Sequence, residues 1–311
     1  MDQSWRSLID LGVVQPMMFP ATGSGEGPII ETARKIAEDE FFTLLEVTKI
    51  KQKSVREELR KLAEVSGLKL GFRAQPGLLA AGQQLADLDE ARRKAAVENV
   101  KESLDQAYEL GCIVLSLMDG RNSYAGEDTK ASGLEALEKS LLEICDYAAS
   151  MAEDQPIPIT IEQFDQTVDK KSLIGKTEDA VALAFRIRDE YPSFGIMVDQ
   201  GHLPLLGVQP GEVFRAVGDL SFQADIGNCV MKKGAPNFGD NHPRFGFPGG
   251  VNDTPELVGF LTAMADNGFF ERDTPTPRPI ITFEVKPFQD EDSDLVLGSC
   301  KRVFQEAWNS F

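Results

Sequence analysis

The sequence predicts an α/β protein built as one closed (β/α)8 barrel spanning residues 1–311, and three observations carry that expectation. Eight short apolar runs alternate with amphipathic helical stretches, and no linker or break in composition interrupts the alternation. The first turn, PATGSGEGP, lacks the GxGxxG that a doubly wound dinucleotide-binding sheet places between its first strand and helix. An open doubly wound sheet is the competing arrangement, and eight units exceed what most such sheets use.

The units follow in order. Apolar runs at 11–19 and 41–48 flank GPIIETARKIAEDE, whose apolar residues recur at helical spacing after a glycine-rich turn. VREELRKLAEVSG reads as a helix closed by Ser66 and Gly67, and it leads to the strand LKLGFRAQP at 68–76. A long helix over 88–111 precedes the strand CIVLSLMDG at 112–120, and a helix over 134–151 precedes PIPITIEQF at 156–164. TEDAVALAFRIRDEY then leads to FGIMVDQG at 194–201, and a short helix near GEVFRAVG leads to SFQADIG. TPELVGFLTAMADNG precedes the last strand, RPIITFEVKP at 278–287, and SDLVLGSCKRVFQEAWNSF closes the chain as an amphipathic helix.

Side chains of a barrel strand alternate between lumen and helix layer, and chemistry gathers at the strands' C-terminal ends. In the fifth strand Ile157, Ile159 and Ile161 share one parity and leave Thr160 and Glu162 on the other. The same split sets Asp199 against Ile196 and Val198, Gln223 and Asp225 against Phe222, Ala224 and Ile226, and Thr282, Glu284 and Lys286 against Ile281, Phe283 and Val285. Four successive strands therefore end with an acid on the polar parity, and the acids are expected to converge. Two carboxylates about 4 Å apart repel by roughly 4 kcal/mol at an effective dielectric near 20. Lys286 or protonation can offset part of this. Four oxygen ligands around a hard divalent cation do so more economically, which makes Glu162, Asp199, Asp225 and Glu284 candidate metal ligands.

Other residues are expected at the same mouth. His202, three residues past Asp199, is a candidate substrate contact, with helix capping or packing as the plain alternative. Asp165 either orients a loop or touches substrate, and Glu46 and Lys49 are further mouth candidates. The loop MKKGAPNFGDNHPRFGFPGGVND carries Asp240, His242 and Arg244, polar heads that suit closure over a polar ligand or simply an ordered packing loop. RAQPG and MDGRNSYAG are expected to wall the rest of the pocket.

Composition limits the partners. Fifty acidic against 32 basic residues give a formal charge of -18, which opposes binding to nucleic acid or anionic lipid. No apolar run is long enough to span a bilayer, and the first residues lack the basic and apolar regions of a signal peptide, so a cytoplasmic protein is expected. The four cysteines, Cys112, Cys145, Cys229 and Cys300, are widely spaced and read as buried free thiols.

With these residues placed, the chain resembles the xylose isomerase-like barrel superfamily of sugar isomerases and epimerases, most strongly over residues 156–288. Members similar to ketose 3-epimerases carry a Glu on the fifth strand, an Asp on the sixth followed three residues later by His, a His on the seventh, and a Glu on the eighth. IEQFD supplies Glu162, VDQGH supplies Asp199 and His202, and TFEVKP supplies Glu284. The ligand histidine of the seventh strand falls at Asp225, and a second family histidine falls at Gln223. Arg244, in HPRFGFPGG, resembles the family arginine that helps hold substrate, and His242, Gln223 and Lys286 join it as substrate-binding candidates.

The resemblance implies a metal-dependent isomerase or epimerase in which Glu162 and Glu284 move a proton next to a sugar carbonyl. A carboxylate at Asp225 shifts the ligation toward oxygen, with Mn2+ expected first and Mg2+ or Co2+ next. Two alternatives stay open. One is a lyase acting on 3-keto-glycosides, similar to the α-type subunits of C-glycoside deglycosidases and completed by a small partner subunit; the other is a non-catalytic sugar-binding barrel. A homo-oligomer is expected in either enzyme case. The scarcity of histidine speaks against the apurinic-site endonuclease branch, which needs several for a zinc cluster.

Overall fold

The structure is a computed structural model that describes residues 4–311. Eight parallel strands close into a barrel in sequence order: β1 Asp10–Val14, β2 Leu44–Val47, β3 Lys69–Arg73, β4 Leu115–Leu117, β5 Ile159–Glu162, β6 Gly195–Asp199, β7 Gln223–Ile226 and β8 Ile280–Phe283. β8 pairs with β1 through Asp10 and Ile280, which removes any free sheet edge.

The outer helices form where apolar spacing and caps coincide. Lys53–Ser66 ends at Gly67, whose φ of 74° lets its N–H reach the Ala63 carbonyl, a conformation other residues adopt at a cost. Glu90–Leu110 starts at Asp89, whose carboxylate accepts the N–H groups of Ala91 and Arg92. Thr254–Asp266 opens on a capping box between Asp253 and Glu256.

The strands are shorter than the apolar runs that predict them, and two of those runs turn into helix. β1 stops at Val14 and the chain turns into a short helix, Gln15–Met18; β3 stops at Arg73 and Gln75–Ala81 is helical. Pro16 and Pro76 sit in the first turns of these helices, where a fixed φ suits a helix start and the missing N–H costs nothing.

The two parities fill two layers. Leu11, Val13, Leu45, Phe72, Ile161, Val198, Ala224, Ile226, Ile281 and Phe283 face the helices and join one continuous core. Burying each large apolar side chain contributes about 1.5–3 kcal/mol. Leu44, Val114, Phe222 and Ile280 form a separate apolar cluster at the barrel floor; Phe222, expected on the parity of Ala224 and Ile226, lies one residue before β7 and joins this cluster instead. Gly12 keeps that floor close-packed, since a Cβ there would lie 3.0 Å from the Leu44 backbone oxygen. All four cysteines are buried free thiols. Among the described residues no helix is long and apolar enough to cross a membrane.

Candidate active site

Strand register brings the carboxylates together. Asp199 and Asp225 are paired neighbours on β6 and β7, Glu162 is paired with Met197 one step earlier, and Glu284 follows β8 with its N–H donating to the Ile226 carbonyl at 3.1 Å. One oxygen from each of Glu162, Asp199, Asp225 and Glu284 lies within 4.8 Å of the others. The first three are at most 2% exposed, so solvent screens little of their repulsion.

Part of the compensation comes from Arg73, which the sequence places on the pocket wall without a role. It stands at the end of β3 on the parity of Lys69 and Gly71. Its Nη1 donates to Asp225 Oδ2 at 2.7 Å and its Nη2 to Asp225 Oδ1 at 2.6 Å, while Nε donates to Glu46 Oε2 at 2.6 Å. Nη1 also lies 3.6 Å from Glu284 Oε2. Burial still dominates: it pushes the Glu46 and Asp225 carboxyls up to about 7, against the pull of Arg73. Burial, then the charge of Glu284, raises Glu162 well above the usual carboxyl range. Burial likewise raises Asp199, partly offset by His202 and His242.

A second group lies against the first. Asp240 Oδ1 accepts from His242 Nε2 at 2.6 Å and from His202 Nε2 at 3.1 Å, and Asp240 Oδ2 accepts from Lys170 Nζ at 2.6 Å. His202 Nδ1 donates to the Gln163 carbonyl at 2.9 Å, and its ring packs on Phe164. Burial alone lowers a histidine's affinity for protons, yet Asp199 and Asp240 outweigh it at His202 and raise its pKa well above the ordinary value. At His242 burial is outweighed by Asp240 and Glu284, and the pKa rises to about 10. Burial of Asp240 is in turn outweighed by His202, His242 and Lys170, which hold it well below the usual carboxylate range.

The remaining candidates divide. Lys286 lines the mouth cavity with Arg73, Glu162, His242 and Glu284. Gln223 lies deeper, donating to Glu46 Oε1 at 2.6 Å and accepting from Thr160 Oγ1 at 2.7 Å. Glu46 is thus inside the lumen, whereas Lys49 points to Asn99 and Glu102 on the helix layer. Asp165 accepts the N–H groups of Thr167, Val168, Asp169 and Lys170, which makes it the organiser of the β5 loop. Arg244 is engaged by Glu291 at 2.8 Å and sits over Phe247, off the cavity wall. Gln75, which the sequence places on the pocket wall within RAQPG without a role, donates to Glu162 Oε2 at 2.8 Å. Lys170 was missed, because its partner Asp240 is 70 residues away on another loop.

The cavity at this mouth measures about 390 Å3, within the range of small-ligand sites, and mixes polar heads with Val14, Met17 and Leu79. Glu162 Oε1, Asp199 Oδ2 and Glu284 Oε2 are buried oxygens that accept no hydrogen bond. Acids that gather within 4.8 Å of one another and keep buried oxygens free of hydrogen bonds fit a hard divalent cation.

Residues 37–281 match the sequence model of a family described as xylose isomerase-like TIM barrel. No curated protein matches the chain. Among solved structures, the fold is similar to a D-psicose 3-epimerase with D-tagatose from Clostridium cellulolyticum H10, at 15% identity and TM-score 0.72 over 97% of this chain and 99% of that one. A D-tagatose 3-epimerase-like protein aligns at 17% identity and TM-score 0.70, again over 97% and 99% of the two chains. A 3-keto-D-glucoside 4-epimerase from E. coli aligns at 13% identity and TM-score 0.67 with the same coverage. Identities this low carry the fold and not the substrate. The match to the family model over most of the sequence, joined to a closed eight-stranded barrel with its acids at the C-terminal mouth, places the protein in the xylose isomerase-like TIM barrel family.

Proposed function

We propose that the protein is a carbohydrate epimerase or isomerase that moves a proton at a carbon next to a carbonyl. The observation that carries this reading is the pair Glu162 and Glu284, both on the cavity wall and each with an oxygen that accepts no hydrogen bond. Gln75 fixes Glu162 Oε2, so Oε1 is the oxygen left for chemistry. Burial and the Glu284 charge raise the proton affinity of Glu162, which suits a base that must take a weakly acidic proton from carbon. Glu284 is the partner that returns a proton, and the two exchange roles in the reverse direction.

Glu162, Asp199 and Glu284 are the residues that would hold a divalent cation, Mn2+ first and Mg2+ or Co2+ next, with Asp225 the fourth carboxylate in reach. When bound, such a cation polarises adjacent carbonyl and hydroxyl oxygens of the sugar and makes the neighbouring C–H more acidic. His242 and Lys286, also on the cavity wall, offer N–H donors to substrate hydroxyls, and Phe164 with Met17 gives an apolar face for the sugar ring.

The test is hydrogen exchange. The full chain with Mn2+ is incubated in deuterated water with a panel of ketoses, aldoses and 3-keto-glycosides, the last prompted by the 3-keto-D-glucoside 4-epimerase among the structural neighbours. Deuterium is expected at the carbon next to the carbonyl of at least one substrate, with product mass otherwise conserved. In Glu284→Gln the exchange is expected to fall by about 10^2 to 10^4 while the fold persists. Release of two products instead of one marks the lyase alternative, and sugar binding without exchange on any substrate removes the catalytic reading.

A further inference from the structure

Asp225 differs from the other three acids of the cluster in having no oxygen to spare. Arg73 takes both, Oδ1 at 2.6 Å and Oδ2 at 2.7 Å, in the bidentate geometry that makes an arginine–carboxylate pair strong and specific. The guanidinium is itself fixed from the other side. Nε donates to Glu46 at 2.6 Å, Nη1 meets Met197 Sδ at 3.3 Å, and Gln223 bound to Thr160 holds the second Glu46 oxygen. Gly71 leaves room for this, because a Cβ there would lie 2.9 Å from Glu46 Cγ. Five side chains from β2, β5, β6 and β7 thus hold the one positive charge of Arg73 at a set position in the lumen.

We infer that Arg73 is the resident cation of the site and withholds Asp225 from any divalent ion, so that the ligand set is Glu162, Asp199 and Glu284. This rests on the metal-holding part of the function proposed above. The guanidinium is only 3% exposed, so if Asp225 left it the buried charge would keep only Glu46 in hydrogen-bond contact and Glu284 at 3.6 Å. The three acids assigned to the ion each keep one buried oxygen with no hydrogen-bond donor. Arg73 also lines the cavity and stands 3.6 Å from Glu284 Oε2, which puts a permanent positive charge beside the reacting carboxylate.

Calorimetric titration of Mn2+ into the full chain tests this without any substrate. Asp199→Asn is expected to weaken Mn2+ by more than about tenfold, whereas the isosteric Asp225→Asn, which leaves Arg73 paired with Glu46, is expected to stay within about threefold of wild type. Arg73→Gln frees a carboxylate and removes a like charge, and Mn2+ is expected to tighten by about tenfold. Circular dichroism checks each fold; Arg73→Lys, which cannot hold both Asp225 oxygens with one planar fork, stands in where Arg73→Gln fails to fold. Equal losses in Asp225→Asn and Asp199→Asn would make Asp225 a ligand and overturn the inference. If wild type takes up no Mn2+, the metal-holding reading fails, and Arg73 is judged on its own variant: uptake gained on removing it supports the inference, and no gain overturns it.

Discussion

Asp10 at the floor of the barrel and Asp225 near its mouth are both fully buried carboxylates, and their surroundings differ in kind. Asp10 Oδ1 receives Lys69 at 2.5 Å, Arg278 at 2.8 Å and Thr43 at 3.0 Å, two cations for one acid. At the mouth, Glu46, Asp225 and Glu284 share Arg73, while His202 lies 3.3 Å from both Glu162 and Asp199 and, with His242, is also bonded to a further acid, Asp240. Asp10 Oδ2, like Glu162 Oε1, Asp199 Oδ2 and Glu284 Oε2, accepts no hydrogen bond, so the difference lies in the charges: the floor sets two cations against one acid beside an apolar plug, and the mouth crowds several acids around few cations. A barrel keeps its stability at one end and its chemistry at the other, and here the division can be read from where the counter-charges sit.

Two substitutions set the ends against each other. Glu284→Gln at the mouth is expected to cost about 10^2 to 10^4 in turnover with stability unchanged or raised, because it removes one of several repelling charges. Asp10→Asn at the floor is expected to lower stability by about 1–3 kcal/mol, since Lys69 and Arg278 lose their shared charge, with turnover near wild type. Denaturant unfolding and steady-state rates on the same two proteins measure both. A loss of turnover in Asp10→Asn comparable to that of Glu284→Gln would erase the distinction.

The mouth is also expected to set the pH dependence of stability. In chelator, Glu46 and Asp225 keep protons in the folded state up to about 7, raised mainly by burial, whereas an ordinary unfolded carboxyl ionises near 4. The folded state then binds more protons than the unfolded one between those values, so unfolding free energy falls as pH rises through that window. His242 extends the trend: burial opposes its proton, Asp240 and Glu284 keep it up to about 10, and its contribution is present below 6.5 and lost as pH rises through 10. Asp240, held well below the usual range against burial by His202, His242 and Lys170, acts at the other end, where its contribution is lost on acidification. Urea midpoints in chelator from pH 5 to 9 are expected to fall, and saturating Mn2+ is expected to flatten the slope by binding carboxylates in their ionised form. Midpoints rising with pH in chelator would contradict this assignment.

The sequence exposes one of these ends far better than the other. Eight strand-helix units follow from apolar periodicity, and the barrel agrees in order with every unit. Strand parity alone brings Glu162, Asp199, Asp225 and Glu284 to one place, because period-two alternation is a local property. Arg73 shows where that logic stops. Parity assigns it to the lumen beside Gly71, but which acid it meets depends on β3 facing β7 across a closed sheet, and closure is not local. The early ends of β1 and β3 were signalled by Pro16 and Pro76, whose apolar neighbours disguised helical turns as strand. Arg244 is a case of matching sequence and different placement: the loop that carries it turns its side chain to Glu291.

The smallest expected effect concerns the loops that join the two halves of the mouth. Lys170, on the β5 loop organised by Asp165, donates to Asp240 Oδ2 at 2.6 Å and to the Asp240 carbonyl at 3.2 Å, so it ties that loop to the one carrying His242. Burial lowers the proton affinity of Lys170, and Asp240 and Asp169 more than restore it, so the tie is ionic at neutral pH. Lys170→Met keeps the length of the side chain and removes the charge. Asp240 retains both histidines, so the acid cluster stays intact while His242 loses part of its fixed position. Losing one hydrogen-bonded charge at this depth corresponds to about 1 kcal/mol, or roughly fivefold, and it is expected in KM more than in kcat because Lys170, on the cavity wall, is bonded to Asp169 and Asp240 and not to the two glutamates proposed to move the proton. A fall in kcat as large as that of Glu284→Gln, with KM unchanged, would move Lys170 from positioning the loops into the proton-transfer step itself.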